Sequence, residues 1–114
     1  MKKTDVHALF TDKEIWKPVP GYVSVEASSL GNIRHSGTHE LYNLSVNGDG
    51  YYLTRVHPSI PTATSKMVYA HALVMKAFVG DTPDGQCIGR RNADKLDNRL
   101  FNLFFRKKGK VKKA

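Results

Sequence analysis

The sequence has one cysteine, few acidic residues and no long apolar run. The single thiol, Cys87, excludes an intrachain disulfide and a zinc site built from cysteines. No apolar stretch approaches the roughly 20 residues that cross a bilayer. Asp5 and His7 stand where a signal peptide would have its apolar core. We therefore expect a cytoplasmic protein with no membrane partner, held together by side-chain packing.

The scarcity of acidic residues leaves a strongly basic chain. Ten Asp and Glu face 18 Lys and Arg, which gives a formal net charge of +8 over 114 residues. This balance favours a polyanionic partner, and nucleic acid is the first candidate. A basic domain that binds no nucleic acid would have the same composition, so charge alone does not separate the two. The length suits one compact unit with tails.

Two segments in the first half of the chain have the patterns of β-hairpins. "VSVEASSLGNIRH" (23–35) alternates like a strand on each side of the turn residues "SLGN". In "ELYNLSVNGDGYYLTRV" (40–56), two β-rich runs flank "NGDG", whose asparagine, aspartate and glycines tolerate positive φ. We predict a hairpin at each place.

Two helices are predicted in the second half. "MVYAHALVMKAFVG" (67–80) indicates a strand that runs into a helix ending at Gly80. "DNRLFNLFF" (97–105) indicates a short helix with Asp97 as its N-cap and an apolar side. The apolar faces consist of Leu73, Val74, Ala77 and Phe78 in the first helix, and Leu100, Leu103 and Phe104 in the second.

The second predicted helix carries two asparagines on another face. Asn98 and Asn102 stand at positions i and i+4, so both would face the preceding turn, "RRNAD". A cap and an exposed polar residue are one interpretation of this pair. Two members of a functional site are the other.

The order of these segments resembles the HNH endonucleases of the homing type found in phages and mobile elements. "EIWKPVPGYVSVEASSLGNIR" (14–34) looks like their modular N-terminal motif. "GYYLTRV", "VYAHALVMKAFVG" and "PDGQCIGRRNADKLDNRLFNL" look like their HNH portion. The N-terminal motif residues are Trp16, Pro20, Gly21, Tyr22, Ser28, Gly31 and Arg34.

The resemblance implies an α+β fold in which an N-terminal β-hairpin module precedes an HNH ββα-metal-like unit. It divides the chain into an N-terminal arm (1–13), a nuclease-associated β module (14–60), an HNH-like ββα unit with its preceding helix (61–105) and a basic tail (106–114).

The resemblance also implies site residues. In the family a histidine at the end of the first strand of the ββα unit is the general base, an asparagine holds the loop, and a helix residue contacts the metal. By matching motif these positions fall on Arg90, Asn98 and Asn102. The aspartate that often precedes the histidine as a metal ligand falls on Gly89. Asp94 matches a loop acid, for which a turn role and a metal role both fit.

Arginine at the general-base position has a chemical consequence. Its guanidinium stays protonated and only donates hydrogen bonds, so Arg90 could bind phosphate but could not take a proton from water. Losing a general base costs about 10²- to 10⁴-fold in rate. Gly89 supplies no carboxylate for magnesium or manganese, the metals that an active form would use. We therefore expect impaired phosphodiester cleavage, through natural decay of the site or through a single inactivating change.

The other histidines offer no evident replacement for the base. His71 opens the first predicted helix and matches a histidine common in the family, but its neighbours favour a capping or core role over catalysis. His7, His35, His39 and His57 lie outside the nuclease-like segment.

DNA binding survives the loss of a base more easily than cleavage does, because phosphate contacts need only charge and reach. We predict a duplex DNA-binding relative of the HNH homing-type endonucleases. The alternative is a non-catalytic protein derived from a nuclease that binds DNA or a host protein. The cations predicted to contact DNA, each of which could also be solvated surface, are Arg34, Arg55, Arg91, Arg99, Arg106, Lys107, Lys108 and Lys110.

Overall fold

A computed structural model describes residues 13–60 and 62–108, in which one α-helix accompanies three small antiparallel sheets. Most of the predicted N-terminal arm, with His7, and the end of the predicted tail, with Lys110, lie outside these residues. The elements in chain order are β1 (Trp16–Pro18), β2 (Val25–Ser28), β3 (Ile33–His35), β4 (Ser45–Val46), β5 (Tyr52–Val56), β6 (Lys66–Tyr69), α1 (Ala70–Phe78), β7 (Gln86–Arg90), a 3₁₀ turn (Leu100–Asn102) and β8 (Leu103–Lys107).

The first sheet contains β1, β2 and β3, with β2 in the middle, and it confirms the first predicted hairpin. The Ser28 hydroxyl organises the turn, because its oxygen accepts hydrogen bonds from the backbone N–H of Leu30 (3.2 Å) and Asn32 (3.1 Å). Gly31 in this turn has φ +92°, and a Cβ there would lie 2.9–3.0 Å from Asn98. Glycine is therefore required both by the backbone conformation and by the close approach of the loop that precedes β8.

Arg34 contacts two residues of the first sheet, Glu26 and Trp16. Glu26 and Arg34 are direct cross-strand partners, and Arg34 Nε lies 2.7 Å from Glu26 Oε1. The Arg34 guanidinium carbon also lies 4.0 Å from the centre of the Trp16 ring. Arg34, predicted as a DNA contact, thus has intramolecular partners for both its charge and its planar face.

The second sheet contains β4, β5 and β6, and it confirms the hairpin predicted around "NGDG". The Asn47 side-chain oxygen accepts hydrogen bonds from the backbone N–H of Asp49 and of Tyr51, each at 3.0 Å. β6 pairs with the other edge of β5, with Leu53 opposite Tyr69. This register brings the start of β5 next to the end of β6.

Helix α1 follows β6 without a loop and joins the two halves of the sequence in one core. It packs against strands of the first and second sheets as well as β8. Within the described part of the chain, no helix is long and apolar enough to cross a bilayer. The buried apolar residues include Leu73, Val74 and Phe78 of α1 with Val25, Ile33, Val56, Leu100 and Leu103.

The helix predicted over 97–105 is wrong. Only a 3₁₀ turn (Leu100–Asn102) forms there, and the chain continues as β8, which pairs antiparallel with β7 so that Arg90 faces Leu103. The apolar run 103–105 satisfies its backbone groups by this pairing, and aromatic residues suit a half-buried strand. β8 includes Arg106 and Lys107, which the charge pattern had placed in the tail. Asn102 therefore ends a 3₁₀ turn before a strand and is not on an α-helix.

Candidate functional site

Arg90 is the last residue of β7, and its guanidinium is held by the loop that leads to β8. Its Nη1 donates to the Asp97 carbonyl oxygen (2.7 Å), and its Nη2 donates to Asn98 Oδ1 (2.8 Å). Nη2 also lies 3.1 Å from His71 Nδ1. Because arginine only donates, His71 must accept at Nδ1 and carry its proton on Nε2. A longer contact of 3.4 Å reaches the Asp94 carbonyl oxygen.

His71 lies in the first turn of α1, where the fold brings it against Arg90. Burial, followed by the positive charge of Arg90, lowers the pKa of His71 to about 4. The ring is therefore neutral near pH 7, but its low pKa makes it a weak general base. Burial also lowers the pKa of Arg90, while Tyr51, Asp97 and Asp94 oppose that shift. The guanidinium remains protonated at ordinary pH.

The two asparagines have different tasks. Asn102 is buried, and its Oδ1 accepts hydrogen bonds from the backbone N–H of Arg91 and Asn92, at 3.1 Å each. Its Nδ2 donates to Asn92 Oδ1 (3.0 Å) and to the Asp97 carbonyl oxygen (2.9 Å). Asn102 thus makes the loop-holding contacts expected of Asn98. Asn98 is also buried, and its oxygen meets Arg90, while its Nδ2 has no partner among the described residues.

The carboxylates of Asp94 and Asp97 accept hydrogen bonds from other groups of the same loop. Asp97 accepts from Arg99 Nε at Oδ1 and from Arg99 Nη2 at Oδ2, both at 2.8 Å. Chiefly through Arg99, the pKa of the Asp97 carboxyl is held well below its usual range. Asp94 Oδ1 accepts from the backbone N–H of Leu96 (3.0 Å), which is a turn contact.

These residues do not fit a divalent metal ion. A guanidinium lies among the candidate ligands, and both polar atoms of the Asn102 amide are already hydrogen-bonded. A Cβ at Gly89 would lie 2.8 Å from Arg106 Cδ and 3.0 Å from Phe104 Cζ, so a carboxylate there requires these side chains to move. Over 13–60 and 62–108, no three His, Cys, Asp or Glu side chains are grouped to hold a metal. The metal roles of Gly89 and Asn102 stay predictions that this donor set does not support.

The cations predicted to contact DNA differ in their surroundings. Arg91 donates from Nε to the Phe101 carbonyl oxygen (2.8 Å) and lies over the Phe101 and Phe104 rings. Arg55, on β5, is exposed and reaches Ser65 Oγ at 3.3 Å. Arg90, Arg91, Arg99 and Arg106 belong to the β7–β8 hairpin and its loop, which exposed Lys107 and Lys108 follow, whereas Arg34 and Arg55 lie on the other sheets.

Sequence reasoning missed an aromatic group beside Arg90. The Tyr69 and His71 rings stack with centres 4.9 Å apart, and the Tyr51 ring lies 5.4 Å from His71. Arg90 and Lys95 both approach the Tyr51 ring, at 5.4 and 5.2 Å from its centre. These residues meet only through the pairing of β5 with β6 and the folding of the 91–102 loop. A linear motif gives no signal of that.

The chain is similar to HNH endonucleases in both sequence and fold. It is homologous to one such enzyme and has the fold of a homing endonuclease of this type, although no protein-family model matches it.

The relative by sequence is an uncharacterized HNH endonuclease of Acanthamoeba polyphaga mimivirus, 34% identical over 94 residues. The match covers 79% of this chain and 23% of the relative, so the chain spans about a quarter of that protein's length. The structural relative is the HNH homing endonuclease I-HmuI, whose structure describes DNA binding and cleavage. It matches with a TM-score of 0.69 at 20% identity, over 82% of this chain and 52% of that one.

Proposed function

We propose that this chain is a duplex DNA-binding protein derived from HNH homing-type endonucleases, and that its phosphodiester cleavage is impaired. One observation carries the proposal. Arg90 occupies the position that the resemblance gives to the general base, and its donors are committed to the Asp97 carbonyl, Asn98 and His71. A protonated group that only donates hydrogen bonds cannot take a proton from water.

His71 does not replace the missing base. Its Nδ1 lone pair accepts a hydrogen bond from Arg90, and its pKa of about 4 leaves little driving force for proton abstraction near pH 7. Asp97 is committed to Arg99 and Asn92, so the nearby carboxylate is also occupied.

DNA binding has electrostatic support. The direct hydrogen-bond acceptors of Arg90 are neutral, and the Asp94 and Asp97 carboxylates, which lie nearby, do not form an ion pair with it. Arg106, Lys107 and Lys108 are exposed on the same hairpin. Phosphate contacts need charge and reach but no catalytic group. The names of both relatives, an HNH endonuclease and a DNA-binding homing endonuclease, agree with this partner.

A binding assay tests the DNA partner. The fluorescence anisotropy of a labelled duplex is measured with the protein at 50 and 200 mM salt. If about four phosphates are neutralised, counterion release predicts an affinity roughly 100-fold lower at the higher salt. A variant with Lys107→Gln and Lys108→Gln should have a shallower salt slope. Affinity that is the same at both salt concentrations would contradict binding through phosphates.

A nicking assay tests the impaired site. The native chain and Arg90→Lys should leave supercoiled plasmid intact with magnesium or manganese. Arg90→His restores a base, and adding Gly89→Asp with Arg106→Ser supplies a carboxylate and removes the closer of the two side chains that crowd it, the other being Phe104. Nicking by either restored variant supports the assignment of the site. Nicking by the native chain that His71→Ala abolishes would show that cleavage is not impaired. Inactivity of both restored variants, in folded protein that binds DNA, would refute the assignment of these residues as a nuclease site and favour the non-catalytic binding protein.

A further inference from the structure

A cavity of about 340 Å³ opens beside Arg90, between the second sheet and the β7–β8 hairpin. Aromatic rings form one side, and β7 forms the other. The residues that matter here are Tyr51, Tyr69 and His71 on the aromatic side, with Cys87, Ile88 and Arg90 on β7.

The aromatic side of this cavity is not part of the hydrophobic core. Tyr51 and Tyr69 lie outside the core cluster, and Tyr69 is 37% exposed. The Tyr69 and His71 rings are nearly parallel, at 21°, while Tyr51 meets Tyr69 at 76° with ring centres 5.7 Å apart. Tyr69 and His71 therefore cover one face of each other, Tyr51 stands edge-on against Tyr69, and the exposed part of Tyr69 remains open to a ligand.

One cation, Arg90, lines the cavity beside uncharged rings, and a second, Lys95, lies over one of these rings. Arg90 and Lys95 both lie close to the Tyr51 ring. Lys95 is positioned from the second sheet, since its Nζ donates to the Asp49 carbonyl oxygen at 2.9 Å. The low pKa of His71 keeps its ring neutral near pH 7.

Flat rings beside cations suit a nucleobase with its phosphates. Stacking of a base on an aromatic side chain contributes about 1–3 kcal/mol and is open to every base, because each has a π-face. A paired base has both faces covered by its neighbours in the duplex. Only a base that is mismatched, bulged or at a single-stranded end leaves the stack at low cost.

We infer, on the basis of the proposed DNA binding, that this cavity holds one unpaired nucleobase of the bound DNA. The base stacks against the exposed aromatic rings, and Arg90 and Lys95 lie near its flanking phosphates. The protein would then bind DNA most tightly where a base is unpaired.

A matched pair of duplexes tests this inference. One duplex has a single bulged 2-aminopurine, whose fluorescence is quenched when it stacks, and the other is fully paired. The native protein should bind the bulged duplex about tenfold more tightly and quench its emission. Tyr69→Leu should abolish the preference and the quenching, whereas Tyr69→Phe, which keeps the ring, should retain both. Tyr51→Leu serves as a second variant that should weaken the preference.

The control removes a comparable ring far from the cavity. His35 stacks on Tyr42 with ring centres 4.2 Å apart, and His35→Leu should leave the preference unchanged. Paired-duplex affinity shows that each variant is folded. Equal affinity of the native protein for both duplexes, or a preference that survives both Tyr69→Leu and Tyr51→Leu, overturns the inference while the DNA-binding proposal stands. If neither duplex binds, both fail.

Discussion

Arg34 in the first sheet and Arg90 at the end of β7 are alike in several respects. Each lies on a strand, is partly buried and approaches an aromatic ring, Trp16 at 4.0 Å for Arg34 and Tyr51 at 5.4 Å for Arg90. Their acceptors differ. Arg34 meets the Glu26 carboxylate at 2.7 Å, whereas Arg90 meets carbonyl, amide and imidazole acceptors that carry no charge.

The difference decides what each charge can do. At Arg34 the opposite charges cancel at short range, so the residue stabilises the sheet and contributes little to the field outside. At Arg90 the hydrogen bonds fix the guanidinium beside a cavity without a direct ion pair, and only the nearby Asp94 and Asp97 carboxylates offset part of its charge. Residue type alone, which suggested a phosphate contact for both arginines, does not distinguish these cases.

The largest expected effect is on stability, at Arg34. Arg34→Met leaves the Glu26 carboxylate, 20% exposed, without its partner, and should lower the free energy of unfolding by about 2 kcal/mol. Arg90→Met leaves neutral acceptors and should cost about 1 kcal/mol. Urea denaturation measures both. Adding Glu26→Gln to Arg34→Met should recover part of the loss, and strictly additive effects would show that the pair is not coupled.

For DNA affinity, unlike stability, the change at Arg90 should have a larger effect than the change at Arg34. Arg90→Met removes a charge that has no direct ion-pair partner and should weaken duplex binding about tenfold at low salt, whereas Arg34→Met should change it less than about twofold. Arg90→Lys keeps the charge and should lie between native and Arg90→Met. Anisotropy titrations at matched salt give the three affinities. An equal loss of duplex affinity in Arg34→Met and Arg90→Met would contradict the proposal that the two arginines contribute differently to DNA binding.

The pH dependence of stability should arise at His71, which lies against Arg90. The pKa of His71 in the folded state, about 4, lies below its ordinary value of about 6.5, so the unfolded chain binds the proton more readily. Stability from this group is complete above about pH 6.5 and is lost as the pH falls towards 4. We expect a loss of about 1 kcal/mol, less than full burial would give, because His71 is partly exposed.

Two variants test whether His71 causes this loss of stability at low pH. His71→Gln should flatten the loss of unfolding free energy between pH 6.5 and 4.5, and Arg90→Met should reduce it, because the charge of Arg90 is the second cause of the low pKa. Arg34→Met should leave the window as it is. The carboxyl of Asp97, whose pKa is also lowered, acts only below its ordinary pKa of about 4 and does not overlap most of the window. An unchanged profile in His71→Gln would contradict the assignment.

The elements predicted correctly from sequence are those fixed by local chemistry. "NGDG" and "SLGN" require tight turns whatever surrounds them, and the apolar face of α1 has a clear helical spacing. The run that begins at Leu103 is different, because three consecutive apolar residues fit a short helix and a half-buried strand equally well. Pairing with β7 decides the outcome there, and that contact is absent from any local window.

The proximity of the candidate site residues was predictable from the sequence, but their contacts were not. A motif match indicates that Arg90, Asn98 and Asn102 lie near one another, and the structure brings them together. Which asparagine holds the loop depends on the path of the chain from Arg91 to Asn102. The involvement of Tyr51 and Tyr69 depends on strand register. Both are tertiary properties that the spacing of residues along the sequence does not encode.

The smallest expected effect concerns the cations beyond the hairpin. Because Lys107 pairs with Gln86 in β8, a truncation that spares the strand is made after Lys108 and removes Lys110, Lys112 and Lys113. Lysines that contact phosphates carry no base readout, so duplex affinity should fall about three- to fivefold for every sequence alike. The loss should shrink at high salt, where such contacts are screened. Replacing the three lysines by glutamine at full length is the matched control and should give the same loss if charge is the cause. A loss confined to one duplex sequence would instead assign these residues to base recognition, and would leave Arg90 as the sequence-independent contact.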